Sequence, residues 1–428
     1  MRIPKSAPDF EPEFASNSGA RPLYEALMTR AFLVVMDSVG IGGAPDAAAF
    51  FNGTLPDTGA NTLGHIALAC AAGQADNGRS GPLHIPTLAA LGLGDATRLA
   101  SGLDTGLPKA TTGLWGAATE HSPGKDTPSG HWELAGVPVP WDWHYFPDTQ
   151  PAIPADLLSL IATTAGTQGT LCNAHASGTQ VIEDFGRQHI ETGWPIVYTS
   201  ADSVLQIAAH EGHFGLDRLL TLCRDIAPAF HALKVGRIIA RPFIGQPGHF
   251  TRTIHRRDFA IAPPSPTLLD WAQAAGRPTH ALGKIGDIFS MRGVTDVVKG
   301  TDAELMTHLS RLVDEAEDGS LTFANFVEFD SLYGHRRNVS GYASALEWFD
   351  AELSKILPNL RDGDLFLITA DHGNDPTWPG TDHTRERVPV LIAGRQPGTL
   401  GLVDFTDIGA SVAAHLRLPD RGAGRSFL

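Results

Sequence analysis

Cysteine is scarce in this sequence. Cys70, Cys172 and Cys223 lie far apart and form no CxxC pair. That argues against a disulfide framework and points to a reducing, cytoplasmic setting. Positive charge is also short. Lys and Arg total 32 against 47 Asp and Glu, a formal net charge of −15, with no long basic run. A nucleic-acid partner is therefore not expected. No apolar run approaches the roughly 20 residues that span a bilayer, so no membrane partner is expected either. Residues 1–27 are polar and Pro-rich, and they lack the apolar segment of a signal peptide. Met28-Thr29-Arg30 directly precedes the first strong apolar run. The expectation is a disordered extension over residues 1–29, with Met28 rather than Met1 as the natural start. Internal repeats and low-complexity tracts are absent from the sequence.

What is present is a large core. The chain has 428 residues, 42% of them hydrophobic, enough for one large domain with an insertion. Ala31 to Met36 (AFLVVM) reads as a buried parallel strand and runs into Asp37. Phe323 to Phe329 (FANFVEF) leads into Asp330, and Leu365 to Ala370 (LFLITA) into Asp371-His372. Val388 to Ala393 is a further apolar run. The spacing predicts helices over Thr301 to Glu317 and Tyr342 to Ile356. Strands alternating with helices imply a doubly wound α/β core. Ligands of such sheets bind at the C-terminal strand tips, where the acids stand.

The middle of the chain differs. Pro/Gly-rich segments bracket it, Val137 to Pro140 before and Pro263 to Pro266 after. Strands are expected at Pro195 to Thr199 and Arg237 to Ala240, and a helix at Ser203 to Ala209. We read residues 143–262 as an inserted α/β cap domain, and residues 30–142 with 263–428 as the core.

A lone Asp at a strand end is ordinarily a turn or cap residue, and a lone His is ordinarily structural; His65, His84, His210 and His213 are read that way. The strand-tip set is different. Asp37, Asp330 and Asp371 with His335, His372 and His383 form a mixed N/O set that suits Mn²⁺ or Zn²⁺ better than Ca²⁺. It exceeds the needs of one tetrahedral ion and suits two ions about 3.5–4 Å apart. Residues 124–134 (GKDTPSGHWEL) read as a small polar loop with Gly124 and Gly130 on either side. Such a loop can bring the Thr127 or Ser129 hydroxyl to a cation that lowers its pKa.

The motifs GKDTPSGHWE, FDSLYGHRR, TADHGNDPTWPGTDHTRE and TSADSVLQIAAHE together closely resemble the phosphopentomutases, of the alkaline-phosphatase-like superfamily. The resemblance runs from about Arg30 to the C-terminus. It implies that Asp37, Asp371 and His372 bind one Mn²⁺, and Asp330, His335 and His383 another, with Zn²⁺ or Mg²⁺ as alternatives. It implies Thr127 as the phosphorylated nucleophile, and sugar or phosphate contacts at Ser200, Asp202, Val204, Arg241 and Lys284. The implied reaction interconverts ribose 1-phosphate and ribose 5-phosphate, or their 2-deoxyribose equivalents. It passes through a phosphothreonine enzyme and a pentose 1,5-bisphosphate, with a pentose or hexose bisphosphate as activator. A monomer is expected. Two stretches depart from the resemblance. Glu328 stands where Asp is usual, and strand alternation would place it on the same side as Asp330; Cys172 to His175 (CNAH) also differs.

Overall fold

The computed structural model describes residues 29–200 and 202–428. The extension expected over residues 1–29 lies, apart from Thr29, outside the described residues. Strands are numbered along the chain. Eight of them form one mixed sheet: β1 (Ala31–Met36), β4 (Leu114–Thr119), β11 (Thr279–Leu282), β12 (Asp296–Val298), β13 (Leu321–Phe326), β14 (Leu365–Thr369), β15 (Val388–Ala393) and β16 (Gly398–Asp404), in the order β12-β11-β13-β1-β14-β15-β4-β16. Only β15 runs antiparallel to its neighbours. Every residue of β1 is buried, as a continuous apolar run at the centre of a parallel sheet demands.

The register of this sheet positions the site. β1 lies between β13 and β14, parallel to both, with Met36 opposite Phe326 and Val35 opposite Thr369. The chain segments leaving the three strands, which carry Asp37, Asp330 and Asp371, therefore emerge side by side at one edge. The helices fall into two packing groups. Thr62–Ala71 and Pro86–Leu91 pack on Val339–Ile356, whereas Thr127–Leu134 and Leu268–Ala274 pack on Phe405–His415.

Between β4 and β11 the chain builds a second sheet from β5 (Leu171–His175), β6 (Ile196–Thr199), β7 (Val204–His210), β8 (Arg237–Gln246), β9 (His249–Arg252) and β10 (Arg257–Ala260). Its order is β10-β8-β7-β6-β5, with β9 paired to β8. Two apolar clusters separate from the main core cover it, one around Ile207, Leu222 and Phe230 and the other around Val181, Tyr198 and Phe243. The strands Phe51–Asn52 (β2) and Leu55–Pro56 (β3) form a short hairpin near the acidic edge.

Three expectations need correction. Ser203 to Ala209 is not a helix: Val204–His210 is a buried strand, parallel to β8 and antiparallel to β6. Short apolar runs carry no reliable period, and here sheet pairing decided the conformation. Residues 124–134 are not all loop, because Thr127–Leu134 is a helix. Asp126 caps it by accepting from Ser129 N at 3.1 Å, and Pro128 occupies its first turn. β13 ends at Phe326, and Phe329–Gly334 is a π-helical turn. Strand alternation therefore does not relate Glu328 to Asp330; the Glu328 N–H instead meets Asp302 Oδ2 at 3.1 Å. In the CNAH stretch, Cys172 and Asn173 have φ of 74° and 69°. Asn173 there turns its amide onto the Ile153 backbone, at 2.7 and 3.0 Å.

Candidate active site

The three strand tips bring the six expected ligands into two adjoining groups, Asp37 with Asp371 and His372, and Asp330 with His335 and His383. Within each group the donor atoms all lie within 4.8 Å of one another. In the first group His372 Nε2 is 3.6 Å from Asp37 Oδ1 and 3.3 Å from Asp371 Oδ2. In the second, Asp330 lies 3.2 Å from His335 Nε2 and 3.4 Å from His383 Nε2. The π turn explains the Asp-x4-His spacing. His335 N donates to Asp330 O at 3.0 Å, an i to i+5 bond that stacks the two residues on one side. The rings of His372 and His383 stack at 4.0 Å between centroids, so the two groups share a border.

The electrostatics are those of a cation site. Burial pushes the Asp37 carboxyl well above its usual range, and the charges of Asp371 and Asp330 push it further. Burial acts the same way on Asp330, but the imidazoles of His383 and His335 outweigh it and hold that carboxyl down. Asp37 Oδ1, Asp371 Oδ2 and His383 Nε2 are buried and, among the described residues, make no hydrogen bond. A buried carboxylate oxygen without a donor is costly unless a cation meets it. These orphaned atoms belong to the proposed ligands, so the residues present fit divalent cations, and imidazole with carboxylate suits Mn²⁺ or Zn²⁺.

Thr127 begins its helix beside the first group, with Oγ1 3.3 Å from His372 Nε2. The alternative hydroxyl is committed elsewhere. Ser129 is fully buried, donates to Asp126 Oδ2 at 3.1 Å and accepts from the Trp143 indole at 2.7 Å. The helix can come this close because position 130 is glycine: a Cβ there would sit 2.1 Å from the Asp371 carbonyl oxygen.

The expected sugar and phosphate contacts are more spread. Lys284 is exposed and directly precedes the short helix Ile285–Ile288. It is near enough to Asp37 to draw that carboxyl down against the larger effects of burial and neighbouring acids. Asp202 stands at the tip of the second sheet, 3.6 Å from Arg237, and its charge reaches His335. Arg241 lies on β8 and donates to Gln206 Oε1 at 3.1 Å, and Gln206 in turn reaches Ser200 at 3.4 Å. Burial, with the charges of Arg256 and Arg252 nearby, lowers Arg241 to about 10. Val204 is buried at the start of β7.

Sequence reasoning missed the braces of this site. Glu386 is buried and accepts from Gly42 N and Thr62 N through one oxygen, at 3.1 and 2.9 Å. Through the other it accepts from the Thr62 and Thr384 hydroxyls, at 2.8 and 2.6 Å. Arg385, also buried, ties Asp46 and Glu120 to the Gly124 carbonyl ahead of the helix Thr127–Leu134. His131 and Asn325 were likewise passed over. Their signals were a His one helical turn after Thr127 and a polar residue inside an otherwise apolar strand.

Comparison with known proteins agrees with this geometry. The family model of the Metalloenzyme superfamily matches residues 29–420. A phosphopentomutase from Chelativorans sp. (strain BNC1) is 55% identical over 408 residues, 94% of this chain and 98% of the relative. One from Rhizobium leguminosarum bv. trifolii (strain WSM2304) is 54% identical over 413 residues, 94% of this chain and all of the relative (100%). Among solved structures, a phosphoglycerate mutase of Leishmania mexicana covers 94% of this chain and 97% of its own, at 13% identity and a TM-score of 0.42, too loose a likeness to bear on the chemistry. With both three-residue groups in place and relatives matching 94% of this chain at more than half identity, the chain belongs to the phosphopentomutases, a family of isomerases in the metalloenzyme superfamily.

Proposed function

We propose that this enzyme interconverts ribose 1-phosphate and ribose 5-phosphate, and the 2-deoxyribose equivalents, with Thr127 as a transiently phosphorylated nucleophile. The observation that carries the reading is the placement of Thr127 Oγ1 3.3 Å from His372 at the border of two three-ligand groups. Asp37, Asp371 and His372 would hold one divalent cation, and Asp330, His335 and His383 a second, Mn²⁺ being the ion we favour. Bound there, the pair supplies charge stabilisation to the transferring phosphoryl group and favours the Thr127 alkoxide.

The chain's own residues do the rest. The helix Thr127–Leu134 points its N-terminal end at the phosphoryl group, which its dipole favours. Asp126 holds that end closed through Ser129. In the first half-reaction a free hydroxyl oxygen of the pentose monophosphate attacks the phosphorus on Thr127, and Oγ1 leaves. The pentose 1,5-bisphosphate so formed reorients, Oγ1 attacks its other phosphorus, and the sugar oxygen that carried that phosphoryl group leaves as a hydroxyl, taking up the proton released in the first half-reaction. A pentose or hexose bisphosphate would restore a lost phosphoryl group.

Residues 143–262 act in this scheme as a cap over the core of residues 30–142 and 263–428, shielding the phosphoenzyme from water. Ser200, Asp202 and Val204 at its tip would face the sugar. Arg241 and Lys284 would hold the non-reacting phosphate, the arginine by its fork of donors. The separate apolar clusters of the second sheet support this division. Cys70, Cys172 and Cys223 are free thiols, consistent with a cytoplasmic enzyme. We take the working unit to be a monomer.

The test is intact-protein and peptide mass spectrometry of the purified enzyme, with a coupled ribose 1-phosphate assay. Wild type is expected to carry phosphate on Thr127, and Thr127→Ala to lose both phosphate and turnover while keeping its fold. Turnover by the Thr127→Ala variant would refute the assignment.

A further inference from the structure

His131 is fully buried, one helical turn below Thr127. Its Nδ1 lies 2.9 Å from the Thr127 carbonyl oxygen and 3.0 Å from Asp371 Oδ2. Its Nε2 lies 3.2 Å from the Asn325 amide nitrogen, and that same nitrogen donates to Asp37 Oδ2 at 2.8 Å. Asn325 is the second-to-last residue of β13, close to the site, and is also fully buried.

These contacts have one proton arrangement when Asp37 is ionised, as a cation's ligand must be. The carboxylate then needs a donor, so the amide turns its NH₂ rather than its oxygen toward it and leaves Asn325 Oδ1 without a hydrogen bond among the described residues. The second hydrogen of that NH₂ then points to His131 Nε2, which must accept. The imidazole is thereby held as the Nδ1–H tautomer. Its one N–H is aimed at the Thr127 carbonyl and lies against Asp371, whose Oδ2 makes no hydrogen bond among the described residues. The ring cannot swing away, because it stacks on Phe323 at 5.9 Å between centroids. Asp371 is steadied from its other side, where Oδ1 accepts from Ser38 N at 3.1 Å.

We infer that His131, locked in one tautomer by Asn325, is a positioning residue that sets the nucleophile's helical turn and the carboxylates Asp37 and Asp371 in a single register. The inference rests on the proposed roles of Thr127 and of that ligand group. Physically, the polar chain Asp37–Asn325–His131–Thr127/Asp371 crosses from β1 through β13 to the nucleophile helix. No water is needed to complete it. A ligand carboxylate whose outer hydrogen bonds are lost typically weakens metal affinity or activity by about 10–100-fold. A displacement of about 1 Å at a nucleophile costs a similar factor.

Three variants separate positioning from bulk. Asparagine at 131 presents an N–H where Nδ1 stands, whereas glutamine presents its amide near Nε2 and leucine presents neither. We expect His131→Asn to keep kcat and Mn²⁺ affinity within about fivefold of wild type. His131→Gln and His131→Leu should lose roughly 10–100-fold in both, with KM for pentose phosphate little changed. Mn²⁺ affinity is read by calorimetry on chelated, refilled protein without substrate, below each variant's melting temperature, and Thr127 phosphate by intact mass. Asn325→Leu should reproduce the loss in Mn²⁺ affinity. Equal Mn²⁺ affinity and kcat in all folded variants would overturn the inference, and so would a loss in His131→Asn as large as in His131→Leu. Failure of the Thr127 reading is distinguishable, because it would show as absence of phosphothreonine in wild type.

Discussion

Replacing Asp302 by Asn removes a buried charge from the approach to Asp330. Asp302 is 3% exposed and opens the helix Asp302–Glu315. Its two oxygens accept from Val327 N and Glu328 N, each at 3.1 Å, where the chain leaves β13 for the π turn. Burial, then the Glu328 charge, raises its pKa from 3.8 to about 7. A carboxyl whose folded pKa is raised adds stability that is fully present below the unfolded value and is lost as pH rises through the folded one. With about 1.36 kcal/mol per unit of displacement, integration between pH 5 and pH 8 gives a loss of about 2.5 kcal/mol. Asn cannot titrate, and its oxygen keeps one of the two backbone bonds. At pH 5 the protonated acid and the amide are near equivalents, to within about 1 kcal/mol for the second bond. Wild type should therefore fall relative to Asp302→Asn by about 2.5 kcal/mol from pH 5 to pH 8. Urea unfolding of both proteins in chelator, at half-unit pH steps, reads that difference directly. A difference that stays constant across the range would refute the reasoning, because it would mean that Asp302 ionises at the same pH in both states.

Three further outcomes are expected. Gly130→Ala drives a Cβ into the Asp371 carbonyl, and should cost about 1–3 kcal/mol of stability and on the order of 100-fold in turnover as the nucleophile helix shifts; thermal melts with a steady-state assay check both, and near-normal turnover would count against the close packing. Arg30 and Asp364 form a buried two-pronged ion pair, at 3.1 and 2.5 Å, with Arg30 also capping the Leu312 carbonyl. Arg30→Met alone should cost about 3–5 kcal/mol in urea unfolding, and Arg30→Met with Asp364→Leu clearly less; equal losses would show that the stranded charge is not the cause. Titrating Mn²⁺ into chelated protein should raise Tm progressively, as binding to the folded state alone requires, and Asp330→Ala should bind fewer ions by elemental analysis; unchanged stoichiometry would remove Asp330 from the ligand set.

Much of the candidate site was legible because its proposed ligands sit where chemistry and local pattern coincide. AFLVVM followed by Asp37, and LFLITA followed by Asp371-His372, could be read as buried strands ending in acids, and the structure has strands there. Two of the stretches read wrongly share one cause. Val204–His210 and the stretch from Phe323 to Asp330 are short, and a few apolar residues suit more than one backbone conformation. The first became a strand because β6 and β8 flank it. The second broke after Phe326 and wound into a π turn, with Asp302 holding the backbone at the break.

The sequence by itself determined the inventory: which side chains can ligate, which hydroxyls can attack, and which runs must be buried. Those follow from residue type and short spacing, which need no knowledge of the fold. Only the tertiary structure decided which hydroxyl is free. Ser129 and Thr127 are chemically alike, but one is enclosed by Asp126 and Trp143 while the other faces His372. It alone decided that Asn325 and His131 join Asp37 and Asp371 to the helix Thr127–Leu134, since residues on β1, β13 and that helix meet only through the register of a parallel sheet. The reason is physical. Local pattern fixes the backbone over a few residues, whereas hydrogen-bond partners far apart in sequence are chosen by the packing of the whole core.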